Sequence, residues 1–118
     1  MKTVLVLEDH VPTAYVLGRL LALAGFDPAV AHTGAEALAL LKAVRPAAMV
    51  IDCHIPDISG IEVLRAARAD PATSGVPAVV YSGDETDGCR AAAAALGVPY
   101  LPKSKMPPHA VVPVVAGL

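Results

Sequence analysis

Apolar positions along this chain alternate between two spacings. Lys2 to Leu7 is a run of β-formers, Thr13 to Ala24 is apolar at helical spacing, and Gly25 ends it. Ala29 to Ala31 predicts a short strand, and Gly34 to Val44 a helix whose apolar side carries Ala37, Leu38, Leu40 and Leu41. The alternation continues with Ala47 to Asp52 as strand, Gly60 to Ala69 as helix and Val76 to Ser82 as strand. Glu85 to Leu96 reads as helix, Pro99 to Lys103 as strand and Pro107 to Ala116 as a weak last helix. Strands that alternate with helices imply an α/β fold, a doubly wound parallel sheet with right-handed crossovers and helices on both faces.

The run Ala48 to Ile51 is short, apolar and bounded by turn residues, as expected of a strand buried on both faces. It stops at Asp52, which places that carboxylate at the carboxyl end of a strand, where open α/β sheets gather their functional groups. Capping of the next helix is a weaker explanation for Asp52, because Asp57 or Ser59 stands nearer the apolar period of Ile61, Val63, Leu64 and Ala67. The other strands end alike: Glu8 and Asp9 after the first, Ser82 after the fourth and Lys103 after the fifth. Three carboxylates brought together repel unless a cation favours their charged forms. Hard oxygen donors with open positions suit Mg²⁺ together with a phosphate oxygen. Asp52 is then a candidate nucleophile toward phosphorus, with Lys103 as fixed positive charge and Ser82 as hydroxyl donor.

Composition narrows the function classes. A chain of 118 residues suits one domain able to bury a continuous core without staples. Net charge is −2 with the basic residues scattered, which argues against direct nucleic-acid contact. No signal peptide and no apolar run long enough to span a bilayer is present, so a soluble cytoplasmic protein is expected. Cys53 and Cys89 lack metal-ligand spacing, and in that compartment they are expected to be reduced thiols. His10, His32, His54 and His109 share no zinc-ligand spacing. Only 17% of residues are charged, so part of the surface must be apolar.

Leu7-Glu8-Asp9, the segment Asp52 to Gly60, Val80-Tyr81-Ser82-Gly83 and Tyr100-Leu101-Pro102-Lys103 occur in order and in register with the strands. Together they resemble the receiver domains of two-component response regulators, chemotaxis regulators included, over the whole chain. The resemblance implies a flavodoxin-like five-stranded sheet in order 2-1-3-4-5. It also implies phosphorylation of Asp52 by a histidine kinase or histidine phosphotransferase. Glu8, Asp9, Asp52 and the backbone carbonyl of His54 would form the Mg²⁺ site. Ser82 and Tyr100 would act as switch residues, and the His54 and Asp84 side chains as modulators of hydrolysis. An unidentified downstream protein would be the partner, and no output domain is expected within residues 1–118.

Three departures from the family pattern stand out. Ser104 follows Lys103 where members usually carry a proline after a cis bond, so a trans Lys103–Ser104 bond, or a strained cis one, is expected. Pro99 and Pro102 fit only an edge strand. Gly83 replaces the usual alanine after Ser82. The alternatives are a phosphorylation-independent pseudo-receiver, which loss of the acceptor or lysine would favour, and an aspartyl-phosphate phosphatase or phosphotransferase. The latter expects its nucleophile on the first strand with a second Asp two residues on, where this chain has His54. Finally, Met106 to Leu118 contains no Asp, Glu, Lys or Arg. A short helix there, kinked or ended by Pro113, would leave some of Val111, Val112, Val114 and Val115 exposed for a partner or a homodimer.

Overall fold

The computed structural model describes residues 1–83 and 87–118, and of Asp87 only the backbone. Five strands, β1 (Thr3–Leu7), β2 (Asp27–Ala31), β3 (Ala48–Ile51), β4 (Ala78–Ser82) and β5 (Tyr100–Pro102), pair in parallel in the order β2-β1-β3-β4-β5. Between and after them run α1 (Val11–Leu23), α2 (Gly34–Val44), α3 (Gly60–Ala69), α4 (Asp87–Ala95) and α5 (Pro108–Ala116). The expected element order and sheet order are both present. The boundaries shift by a residue or two at most ends, where fraying and irregular hydrogen bonding blur any periodicity. Glu85, the expected start of the fourth helix, lies outside the described residues.

Alternation along the strands divides the core between two faces. Leu5, Leu7, Met49, Ile51, Ala78 and Val80 pack against α2, α3 and α4. Val4, Val6, Ala48, Val50, Val79 and Tyr81 pack against α1 and α5. Because both faces are covered, β1, β3 and β4 are almost continuously apolar, and half of their residues are β-branched.

The helices start where their caps say they should. Thr33 accepts from the Glu36 N–H at 3.1 Å, while the Glu36 carboxylate accepts from the His32 N–H. Ser59 caps α3 by accepting from the Ile61 N–H at 3.2 Å. Asp57, the other candidate cap for α3, instead reaches across to α2 and accepts from the Gly34 and Ala35 N–H groups at 2.8 and 3.0 Å. Those bonds hold its carboxyl below the usual carboxylate range.

β5 is an edge strand, as its prolines require. The Val80 N–H donates to the Pro99 carbonyl and the Lys103 N–H to the Ser82 carbonyl, so Pro102 faces away from β4 and its missing donor breaks no rung of the ladder. The Lys103–Ser104 bond is trans, like every peptide bond described.

Two expectations change. Cys53 and Cys89 are not free thiols: they form a disulfide with a Cα–Cα distance of 6.5 Å. They lie 36 residues apart in sequence, and only the packing of α4 beside the segment after β3 makes them neighbours. The α5 valines are better covered than helical circumference alone suggests: Val111 and Val115 are buried, and Val112 and Val114 are half-buried against the same core. The helix is short, at nine residues, and continues through Pro113 without a break. The exposed apolar surface expected from the low charge content lies chiefly on α1, at Val11, Tyr15, Val16 and Leu23.

Candidate functional site

The last rungs of the ladder carry the polar residues to one edge. The Asp52 N–H donates to the Leu7 carbonyl at 2.9 Å, setting Asp52 beside Glu8. The Lys103 N–H donates to the Ser82 carbonyl at 3.0 Å, setting those two together. Strand pairing alone therefore brings four side chains from distant parts of the sequence to one point.

Glu8, Asp52 and Ser82 are buried there, with relative exposures of 1%, 4% and 0%. Asp52 Oδ1 accepts from Ser82 Oγ at 2.8 Å and from the His54 N–H at 3.0 Å. Asp52 Oδ2 accepts from Lys103 Nζ at 3.0 Å, and the same ammonium donates to Glu8 Oε1 at 2.5 Å. Glu8 Oε2 accepts from the His10 N–H at 3.2 Å. An open cleft of about 400 Å³ lies over the cluster, edged by Asp9, His10, His54 and Gly83.

The electrostatics are those of two buried acids sharing one cation. Burial pushes the Glu8 carboxyl up to about 7, and the Asp52 charge adds to that, against the pull of the Lys103 hydrogen bond. Burial also works against the Lys103 charge, but the hydrogen bonds and charges of Glu8 and Asp52 outweigh it and hold the ammonium above its ordinary value. The cluster is thus short of positive charge.

Glu8, Asp9 and Asp52 each offer a carboxylate oxygen within 4.8 Å of the others. An all-oxygen set with a charge deficit and an open cleft fits a hard divalent cation such as Mg²⁺. Both Glu8 oxygens and both Asp52 oxygens already accept from protein donors, which leaves the Asp9 carboxylate the best placed of the three as a direct ligand.

Tyr100 is half-buried, with its hydroxyl 3.4 Å from the Ser82 carbonyl and its ring 4.7 Å beneath the Arg90 guanidinium. The hydroxyl thus lies against the Ser82 backbone. The His54 side chain is exposed at the cleft edge. Asp84, the second expected modulator, lies outside the described residues.

Sequence reasoning missed two supports of this site. One is Gly60: a Cβ there would lie far inside van der Waals contact with the Asp52 carbonyl oxygen and against Ile51. A glycine at the start of an apolar helical period was the available signal. The other is the disulfide at Cys53, for which spacing gave none.

The model of the response regulator receiver domain matches residues 4–109. The DNA-binding response regulator MtrA of Mycobacterium tuberculosis is 39% identical over 79 residues, covering 67% of this chain and 33% of MtrA. The chain therefore spans about a third of the length of that relative. The chemotaxis protein CheY4 of Vibrio cholerae superposes with a TM-score of 0.88 at 22% identity, covering 99% of this chain and 98% of that one, a likeness of fold. The phosphorylated cyanobacterial phytochrome response regulator RcpA superposes with a TM-score of 0.83 at 25% identity, over 98% of this chain and 89% of that one. Sequence and fold converge over nearly the whole length, and the chain belongs to the response regulator receiver domain family of two-component signal transduction.

Proposed function

We propose that Asp52 is the phosphoacceptor of this receiver. The observation that carries the reading is the buried Asp52 carboxylate held by Ser82, Lys103 and the His54 N–H beneath an open cleft. A histidine kinase or histidine phosphotransferase would be the donor. In the transfer, the phosphorus–nitrogen bond of the donor phosphohistidine breaks and a phosphorus–oxygen bond forms on Asp52.

Each neighbour has a role that follows from its position. Lys103 supplies a fixed charge to the phosphoryl oxygens, and Ser82 can turn its hydroxyl from Asp52 to a phosphoryl oxygen. Tyr100, directly behind Ser82, would follow that motion inward. Asp9 and Asp52, with Glu8 and the His54 carbonyl, would hold Mg²⁺, which when bound offsets negative charge on the carboxylates and phosphoryl group. The His54 and Asp84 side chains would govern access of the hydrolytic water, so the protein would assist its own phosphorylation and dephosphorylation.

Residues 1–118 would act as one receiver unit that speaks to a downstream protein and makes no nucleic-acid contact itself. MtrA carries the name DNA-binding regulator, and its further two thirds leave room for that activity elsewhere in such proteins. No described helix is long and apolar enough to cross a membrane, and a cytoplasmic setting would give the kinase access.

Incubation with acetyl phosphate and Mg²⁺ tests the reading. One phosphoryl mass should appear on the protein and vanish in Asp52→Asn; an adduct that survives in the Asn variant would overturn it.

A further inference from the structure

The Cys53–Cys89 bond sits in a telling place. Cys53 directly follows Asp52, and its carbonyl accepts from the Ile55 and Gly60 N–H groups at 3.1 and 3.2 Å, so it anchors the start of α3. Cys89 lies in the first turn of α4, the helix that follows Ser82 in the chain. Ser82 in turn donates to Asp52 Oδ1 at 2.8 Å. The bond therefore closes a ring: Asp52 to Cys53, across the sulfurs to Cys89, back along the chain to Ser82, and by hydrogen bond to Asp52. On the role proposed above for Ser82, a phosphoryl group on Asp52 draws the Ser82 hydroxyl from Oδ1 and opens the hydrogen-bonded limb of that ring.

Stability does not call for a staple here. Disulfides are usually required only in chains far shorter than this, and two continuous apolar cores already flank the sheet. Both cysteines also border an open groove of about 270 Å³ between α3 and α4, whose edge carries Ser59, Glu62 and Arg65. The exposed Glu62–Arg65 ion pair and the Ser59 hydroxyl beside a disulfide offer both charges and a hydroxyl to a small polar thiol bearing amino and carboxylate groups, such as glutathione.

We propose that Cys53 and Cys89 form a reversible redox site, exchanging with a glutathione-type thiol, whose oxidised state ties α4 to the segment after β3 and opposes occupation of Asp52 by a phosphoryl group. The inference rests on the phosphoacceptor reading of Asp52. In reduction, one thiol attacks a cystine sulfur and forms a mixed disulfide. A second thiol displaces it, so that two thiols become one small disulfide and their two protons and two electrons pass to Cys53 and Cys89. Oxidation is the reverse, with the small disulfide as oxidant. Because coupling is reciprocal, a phosphoryl mimic at Asp52 must shift the thiol–disulfide equilibrium by the same factor that oxidation weakens the mimic's binding.

The intact chain is equilibrated in graded reduced and oxidised glutathione, with and without beryllofluoride and Mg²⁺, and the bond is counted by alkylation and mass spectrometry. Beryllofluoride should shift the equilibrium toward the dithiol by about fivefold or more, the lower end of ordinary coupling. Asp52→Asn should abolish the shift, and Cys89→Ser should bind beryllofluoride equally in all buffers. An unchanged or opposite shift, or no Cys53–Cys89 bond in any buffer, overturns the inference while leaving Asp52 as acceptor. Failure of the fully reduced protein to bind beryllofluoride overturns the phosphoacceptor reading and this inference with it.

Discussion

Gly60 faces the Asp52 carbonyl so closely that a Cβ would lie far inside van der Waals contact with its oxygen, leaving no room for a side chain. The neighbour is backbone and cannot swing aside. Gly60→Ala should cost about 1–3 kcal/mol, the usual range for overpacking, at its upper end. Gly75→Ala, where a Cβ meets nothing within 4 Å, is the control and should be near neutral. Urea unfolding of both variants checks this; equal midpoints would mean that the Asp52 segment yields freely.

Stability should depend on pH through Glu8. Its carboxyl is raised to about 7 in the folded protein from an ordinary value of 4.5. The contribution is therefore fully present below the ordinary value and is lost as pH rises through about 7. A shift of this size corresponds to roughly 3 kcal/mol. Metal-free protein should lose stability across that window, and Glu8→Gln should flatten the decline. Parallel slopes for the two proteins in chelator would remove Glu8 as the cause.

Mg²⁺ should bind more tightly as pH rises through the same window, since ionised Glu8 adds to the negative charge that holds it. Asp9→Ala should weaken Mg²⁺ more than Glu8→Ala, because Lys103 and the His10 N–H already occupy both Glu8 oxygens. Titration of both variants decides it, and equal affinities would show the roles misassigned.

Pro113 lies in α5 and withholds a donor from the carbonyl four residues back, that of His109. Its side chain is exposed, so Pro113→Ala creates no cavity. The variant should gain about 1–3 kcal/mol, helix propensity outweighing the added freedom of the unfolded chain. A loss of stability would show that the proline ring is itself a packing contact.

The same helix should be a contact surface. With no Asp, Glu, Lys or Arg from Met106 onward, and Val112 and Val114 only half-buried, it is suited to a partner or a second copy. Light scattering of the intact protein with and without beryllofluoride should show an association that Val112→Asp and Val114→Asp weaken. A monomer in every state that still accepts phosphoryl in both variants would leave α5 as a cap over the core.

The sequence by itself determined the order of elements and the edge of the sheet where the chemistry sits. Short continuous apolar runs are satisfied by strands covered on both faces, and each such run stops at a polar residue. That is why Glu8, Asp52, Ser82 and Lys103 were legible together although they lie at the ends of four different strands. Tertiary structure decided what depends on distance between segments whose separation carries no period. It gave Asp57 to the distant α2 rather than the adjacent α3, because the turn after β3 folds back over the α2 start. It half-covered Val112 and Val114, since core side chains reach around a helix farther than a wheel of positions allows. It also joined Cys53 to Cys89, because a disulfide requires two Cβ atoms to face each other across packed elements, a condition on orientation that residue spacing cannot express.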